Sequence, residues 1–298
     1  MFQIQQPAST SHLIPAIAIA RYTAAPAAAT VTAAKSLQES IRDVLGSGYE
    51  TFLQGSYKND TGIPDLNDVD IVALRRWTTS TFFTGTIATS PISWDQIFRE
   101  VQNALEASYH YRGKTERGDK CIKVSTNFKA DVIPAVRIGD VSTDPIAVYS
   151  FREQRERKNF PRDHYANNVR KQARTVDAYK PTVRMFKRWA RNWFPWTDTA
   201  PSFYVECLIH SVPDDKFSSD AAASFLLVGD YIVNKLNRNS VIPSVAGDKD
   251  ILMSSEWDPA KFEAFQAQLA GSVNLVARAF NATLSTEASQ YWRQAFNE

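Results

Sequence analysis

Gly55-Ser56 and, twelve residues on from the serine, Asp68-Val69-Asp70 constrain this chain more than any other stretch. The segment reads GSYKNDTGIPDLNDVDIVAL and ends in the apolar run Ile71-Val72-Ala73-Leu74. A β-branched apolar run predicts a strand, and residues two apart on a strand share a face. Asp68 and Asp70 are therefore expected side by side, able to bind the same hard cations through oxygen. Gly55 lets the backbone approach a phosphate, and Ser56 adds a hydroxyl donor. The pattern predicts metal-assisted transfer from a nucleoside triphosphate. The bland alternative is a solvated loop, since Asp and Asn are common in turns.

A third acid favours the chemical reading. Asp131 lies in NFKADVIPAV, where Val132, Ile133 and Val136 predict a strand and Pro134 marks its edge or end. A carboxylate in an apolar strand is costly unless it is paired or bound to metal. Lys123 and Lys129 are candidate ion-pair partners. As a third ligand, Asp131 would complete the set begun by Asp68 and Asp70 and could act as a base.

The rest of the chain narrows the setting. Its 298 residues can bury one large core or two lobes. A net charge of +2 gives no overall attraction to polyanions. Cys121 and Cys207 fit no metal or disulfide spacing, so a reducing cytoplasm is the simplest compartment. Pro15, Arg21 and Pro26 break the Ala/Ile-rich stretch 13–34, and no membrane span is expected. His12, His110, His164 and His210 have no zinc-ligand spacing.

Periodicity predicts a helix over 30–45, stopped by Gly46 and Gly48, and a strand over 69–74. Residues 78–92 read as a Thr/Ser-rich loop. Ser93 and Gln96 form a capping box before a helix carrying Trp94, Ile97, Phe98, Val101 and Leu105. Strands are expected at 121–126, 129–136 and 146–151. The charged stretch 151–163 reads as a solvated connection, with a basic rim near an acceptor nucleotide as the functional alternative. From Asp163 the pattern is helical. The expected class is α+β, a mixed sheet with flanking helices followed by a helical lobe, divided as 1–162 and 163–298.

GS…DVD followed by ADVIPAV resembles the polymerase-beta-type nucleotidyltransferase superfamily, and within it the bacterial relatives of cyclic GMP-AMP synthase and DncV, the CD-NTases. KPTVRMFKRWARNW and APSFYVECLIHSV resemble that family's helical-lobe signature, so the likeness runs from about residue 31 to the end. The resemblance implies a polymerase-beta-like core, an oligoadenylate-synthase-like lobe and an active site in the cleft between them. It implies synthesis of a cyclic di- or trinucleotide second messenger from NTPs, by two-metal nucleotidyl transfer with release of pyrophosphate, in bacterial anti-phage signalling. The catalytic and metal-binding residues would be Asp68, Asp70 and Asp131. Gly55 and Ser56 would hold the phosphates. Lys187 and Ser202 would contact the triphosphate and Phe203 would lie under the donor base, where many relatives have tyrosine. The metals would be two Mg2+ ions, with Mn2+ as a substitute. Substrates would be ATP and GTP first and pyrimidine NTPs second. An accessory regulatory protein and an effector that recognises the product are implied partners. Direct activation by nucleic acid is not expected, because no Cys/His cluster supplies a zinc insertion. The competing functions are a transferase acting on RNA, protein or a small molecule, and a catalytically silent nucleotide sensor.

Overall fold

The computed structural model describes residues 13–64, 68–79, 92–138, 145–195 and 198–298, without the side chains of 77–79. They form two compact units, Pro26–Tyr165 and a second that joins residues 13–25 to Ala166–Glu298. Helix α1 (Ala16–Thr23) thus groups with the C-terminal helices, whereas the expected 1–162 division put it with the core. The reason is aromatic packing. Tyr22 is buried with its ring 4.0 Å from Phe296 and 6.1 Å from Trp292. The Arg184 Nε also donates to the Thr23 carbonyl at 2.7 Å.

In the first unit, α2 (Ala28–Leu45) ends at Gly46, whose φ of +67° suits glycine. After β1 (Tyr49–Gln54) comes a single helical turn, α3 (Gly55–Asn59). Strand β2 spans Asp68–Thr79, past the predicted end at Leu74; most of the predicted loop, residues 80–91, lies outside the described residues. Helix α4 (Trp94–Ala107) starts as its capping box predicts, with the Ser93 hydroxyl accepting from the Gln96 N–H. Strands β3 (Thr115–Arg117), β4 (Ile122–Ser125), β5 (Lys129–Arg137), β6 (Ile146–Ser150) and β7 (Arg155–Asn159) follow. The sheet order is β1-β2-β5-β4-β3, with β6 beside β5 and β7 beside β6. Only β2 and β5 pair in parallel among these strands, giving the mixed sheet expected.

Two strand expectations need correction. Pro134 does not mark an edge or end, because β5 has partners on both sides. Its pairing with β4 stops at Val132 and its pairing with β6 starts at Ala135. Pro134 stands in the gap, where a missing N–H costs no ladder bond on that side. The stretch 151–163 is also more than a solvated connection. Residues 155–159 form β7, and Glu153 holds both Arg155 and Arg157 through ion pairs.

Strand periodicity decides where the acids go. Val69, Ile71 and Ala73 of β2 pack with Ala130 and Val132 of β5 beneath α2 and α4. Val72 and Leu74 line the opposite face with Ala135, Ile146 and Val148. Asp68, Asp70 and Asp131 belong to that opposite face by the same alternation.

The second unit is helical: α5 (Pro161–Arg174, beginning in the first unit), α6 (Tyr179–Trp193), α7 (Ser202–Ser211), α8 (Ala221–Lys235), α9 (Pro259–Asn281) and α10 (Ser285–Ala295). Trp189 is fully buried, and its Nε1 donates to Ser272 Oγ at 2.9 Å. Gly229 of α8 lies where a Cβ would stand 2.6 Å from Val273, so glycine sets how closely α8 and α9 approach. On α6, Arg184 and Lys187 are buried, whereas Arg191 is exposed. Among the described residues no helix is long and apolar enough to cross a membrane.

Candidate active site

Three adjacent strands assemble the acids. Asp70 of β2 is in register with Gln54 of β1 on one side and Asp131 of β5 on the other. Asp68 follows two residues from Asp70 on the same face. Gly55 closes over the pair: its φ is +67°, and a Cβ there would stand 2.2 Å from Asp70 Oδ2. Any larger residue would collide with the carboxylate it covers. Ser56 opens the same helical turn, and its carbonyl accepts from Thr61 N–H at 3.0 Å, which folds the following loop back on α3.

The electrostatics show an excess of negative charge. Burial pushes the Asp70 carboxyl up to about 6, and the Asp131 and Asp68 carboxylates beside it push in the same direction. Lys123 is the cross-strand partner of Asp131, and Lys129 that of Asp68. Neither lysine forms an ion pair with these acids among the described residues. Such a group calls for a proton or a cation. Among the described residues no group of three His, Cys, Asp or Glu side chains is arranged to hold a metal ion as it stands; Mg2+ is commonly held by one or two carboxylates together with substrate phosphates. The donor set is all oxygen, as a hard cation requires.

Two neighbours of the acids escaped the sequence reading. Cys121 is pushed up to about 12, by burial and then by the negative charge of Asp131. It is buried and free, so it is a poor nucleophile. Tyr57 is raised by burial and by Asp68, and its ring packs edge-on against Phe128 at 6.0 Å. Only strand register, which the sequence does not state, brings Cys121 to Asp131.

In the second unit, Lys187 lies buried on α6, and Ser202 and Phe203 lie on α7. Ser202 and Phe203 occupy the first turn of α7, both exposed. Phe203 is 40% accessible, which sets aside ordinary core packing, and Lys249 Nζ lies 5.4 Å from its ring centroid. Tyr204 points elsewhere, as helical geometry predicts, and stacks on Trp257 at 5.6 Å. Lys187 forms an ion pair with Glu206, one helical turn after Ser202. Glu206 also accepts from Asn168 Nδ2 at 2.8 Å, and Asn168 Oδ1 accepts from the Tyr179 hydroxyl at 2.6 Å. The 202/206 spacing was the available signal for Glu206; Asn168 and Tyr179 carried none.

Residues 166–274 match the family model for the cGAS/DncV-like nucleotidyltransferase C-terminal helical domain. The chain is 34% identical over 230 residues to a cyclic UMP-AMP synthase of Rhodothermus marinus, covering 67% of this chain and 78% of that protein. It is 30% identical over 204 residues to a cyclic dipurine nucleotide synthase of Elizabethkingia meningoseptica, covering 60% and 69%. A solved structure of the Rhodothermus marinus c-UMP-AMP synthase with Apcpp and Upnpp is similar at a TM-score of 0.70 and 28% identity, over 86% of this chain and 95% of that one.

Proposed function

Because the chain belongs to the cGAS/DncV-like nucleotidyltransferase family, we propose that it joins NTPs into a cyclic di- or trinucleotide that serves as a second messenger in bacterial anti-phage signalling. The observation that carries this reading is the crowding of Asp70 against Asp131 and Asp68 under Gly55. That crowding is a standing demand for cations, in a chain whose relatives are cyclic nucleotide synthases.

At each bond a ribose hydroxyl oxygen attacks the α-phosphorus of an NTP. The bond from that phosphorus to the bridging oxygen breaks, and pyrophosphate leaves with the electron pair. Mg2+ or Mn2+, held by Asp68, Asp70 and Asp131, would lower the hydroxyl pKa and offset charge on the leaving oxygens. Asp131 accepts the hydroxyl proton and passes it to water. Gly55 lets the α3 backbone lie close to the phosphates, and Ser56 donates to them. Lys187 and Ser202 serve the triphosphate and Phe203 stacks on the donor base. Stacking is tolerant of base identity. The two synthases compared differ in product, one joining UMP to AMP and the other two purines. Base choice therefore lies in groups that meet the base edges.

The test is incubation with all four labelled NTPs and Mg2+ or Mn2+, phosphatase treatment and mass spectrometry. A phosphatase-resistant cyclic product, absent in a folded Asp68→Asn/Asp70→Asn protein, is expected. Label that appears only on added RNA or protein would overturn the proposal, as would a double variant that still makes the product.

A further inference from the structure

We propose that Lys249 is a specificity-determining residue: it meets the edge of the base that stacks on Phe203 and selects bases with a keto oxygen there, guanine over adenine and uracil over cytosine. This rests on the reading of Phe203 as the base platform.

Stacked rings lie with centroids about 4.5–7 Å apart. Lys249 Nζ already stands in that shell, 5.4 Å from the Phe203 ring centroid, so a base that settles on the ring comes up against it. The place is open to solvent, with Phe203 40% accessible and the Lys249 side chain 30%. Of the three lysine N–H donors, one goes to Glu256 Oε2 at 2.7 Å, which leaves two among the described residues. Lysine has no acceptor, so it can pair only with acceptors on a base. Guanine presents O6 and N7, and uracil presents O4. Adenine sets an N6 amine beside N7, and cytosine presents an N4 amine.

Discrimination needs the lysine held, and both its ends are. Its backbone lies in a tight hairpin, where Ser244 N–H donates to the Lys249 carbonyl and Ile251 N–H to the Ile242 carbonyl, both at 2.8 Å. The turn passes through Gly247 at a φ of +80°. At the far end Glu256 takes Nζ and also accepts from the Tyr204 hydroxyl at 3.2 Å. Tyr204 in turn stacks on Trp257, which is buried. Helix α7 therefore carries the platform at Phe203 and, one residue on, a brace for the side chain beside it.

The test uses the full chain with Mg2+ and an equimolar mixture of the four NTPs, and reads the base composition of the product by mass spectrometry. Lys249→Met should lower the ratio of guanine plus uracil to adenine plus cytosine by about fivefold or more, the lower end of what a bidentate base contact discriminates. Lys249→Arg, which again offers donors alone, should stay closer to wild type. A slower Lys249→Met enzyme with an unchanged ratio would overturn the proposal, because a lysine that served the phosphates or only the fold would affect all four NTPs alike. A wild type that incorporates only adenine and cytosine would overturn it too. If Lys249→Met fails to fold, Lys249→Gln keeps the length and sets an acceptor beside its donors. The ratio should fall there as well, and an unchanged ratio counts against the proposal. Phe203→Ala that leaves KM for NTPs intact would remove the platform reading and this proposal together, as would a wild type that makes no product. A raised KM in Phe203→Ala with an unchanged ratio in Lys249→Met would remove this proposal alone.

Discussion

Replacing Asp70 by Asn should stabilise the metal-free protein while abolishing nucleotidyl transfer. In the folded chain the Asp70 carboxyl is raised from 3.8 to about 6 by burial and by Asp131 and Asp68. The folded state therefore holds a proton that the unfolded chain releases between pH 4 and 6. Stability must fall as pH rises through that window, and the penalty is complete above it. A shift of about two units corresponds to about 3 kcal/mol. That is roughly 6–12 °C of melting temperature, at about 2–4 °C per kcal/mol for a chain of this size. Asn carries no charge to repel, so Asp70→Asn should melt higher than wild type at pH 8 in chelator, with the gap about halved at pH 5. Adding Mg2+ should raise the wild type toward the variant at pH 8, because a ligand that binds only the folded state stabilises it. Differential scanning fluorimetry at both pH values, with EDTA and with Mg2+, measures all of this. Titrating groups remote from Asp70 are common to the two proteins and cancel in the difference. If Asp70→Asn melts at or below wild type at pH 8 without metal, the account of crowded carboxylates is refuted.

Gly55→Ala should lose activity roughly hundredfold, since displacement of about 1 Å at reacting groups costs that much; the added methyl would meet Asp70 Oδ2 at a residue with φ of +67°, and single-turnover assay of the folded variant measures it. Phe203→Ala should raise KM for the donor NTP by about 5- to 150-fold, the equivalent of about 1–3 kcal/mol of base stacking, whereas Phe203→Tyr should stay within a few-fold, as steady-state kinetics would report. Gly229→Ala should destabilise the helical unit by about 1–3 kcal/mol in urea melts, because Val273 is too short and branched to move away from a Cβ at 2.6 Å.

The parts of this protein legible in its sequence are those fixed by local repetition. The alternation from Asp68 to Leu74 put both acids on one face, and the clusters on either side of the sheet bear this out. The Ser93/Gln96 box placed the start of α4. Long-range pairing was not legible. Pro134 read as an edge because a central proline normally breaks a ladder, and nothing local announces that β4 hands over to β6 at that residue. Strand β7 was hidden by its charges, of which Arg155 and Arg157 both pair with Glu153 just before it. The burial of Arg184 and Lys187 was not legible either, since long basic residues are rarely buried unless a partner awaits them. Their partners, Thr23 and Glu206, are distant in sequence or on another helix.

The grouping of α1 with the C-terminal helices has a consequence for how the chain becomes a protein. Emerging from a ribosome, α1 precedes all of Pro26–Tyr165, and its aromatic partners Trp292 and Phe296 are made later than that whole unit. An eight-residue helix does not persist alone in water. Tyr22 and Ile14 must therefore wait as exposed apolar side chains while the sheet unit, whose contacts all lie within one continuous stretch, can already close. The helical unit is completed only once Trp292 and Phe296 have emerged, by a contact across nearly the whole sequence, and until then Tyr22 and Ile14 are open to any apolar segment that arrives first.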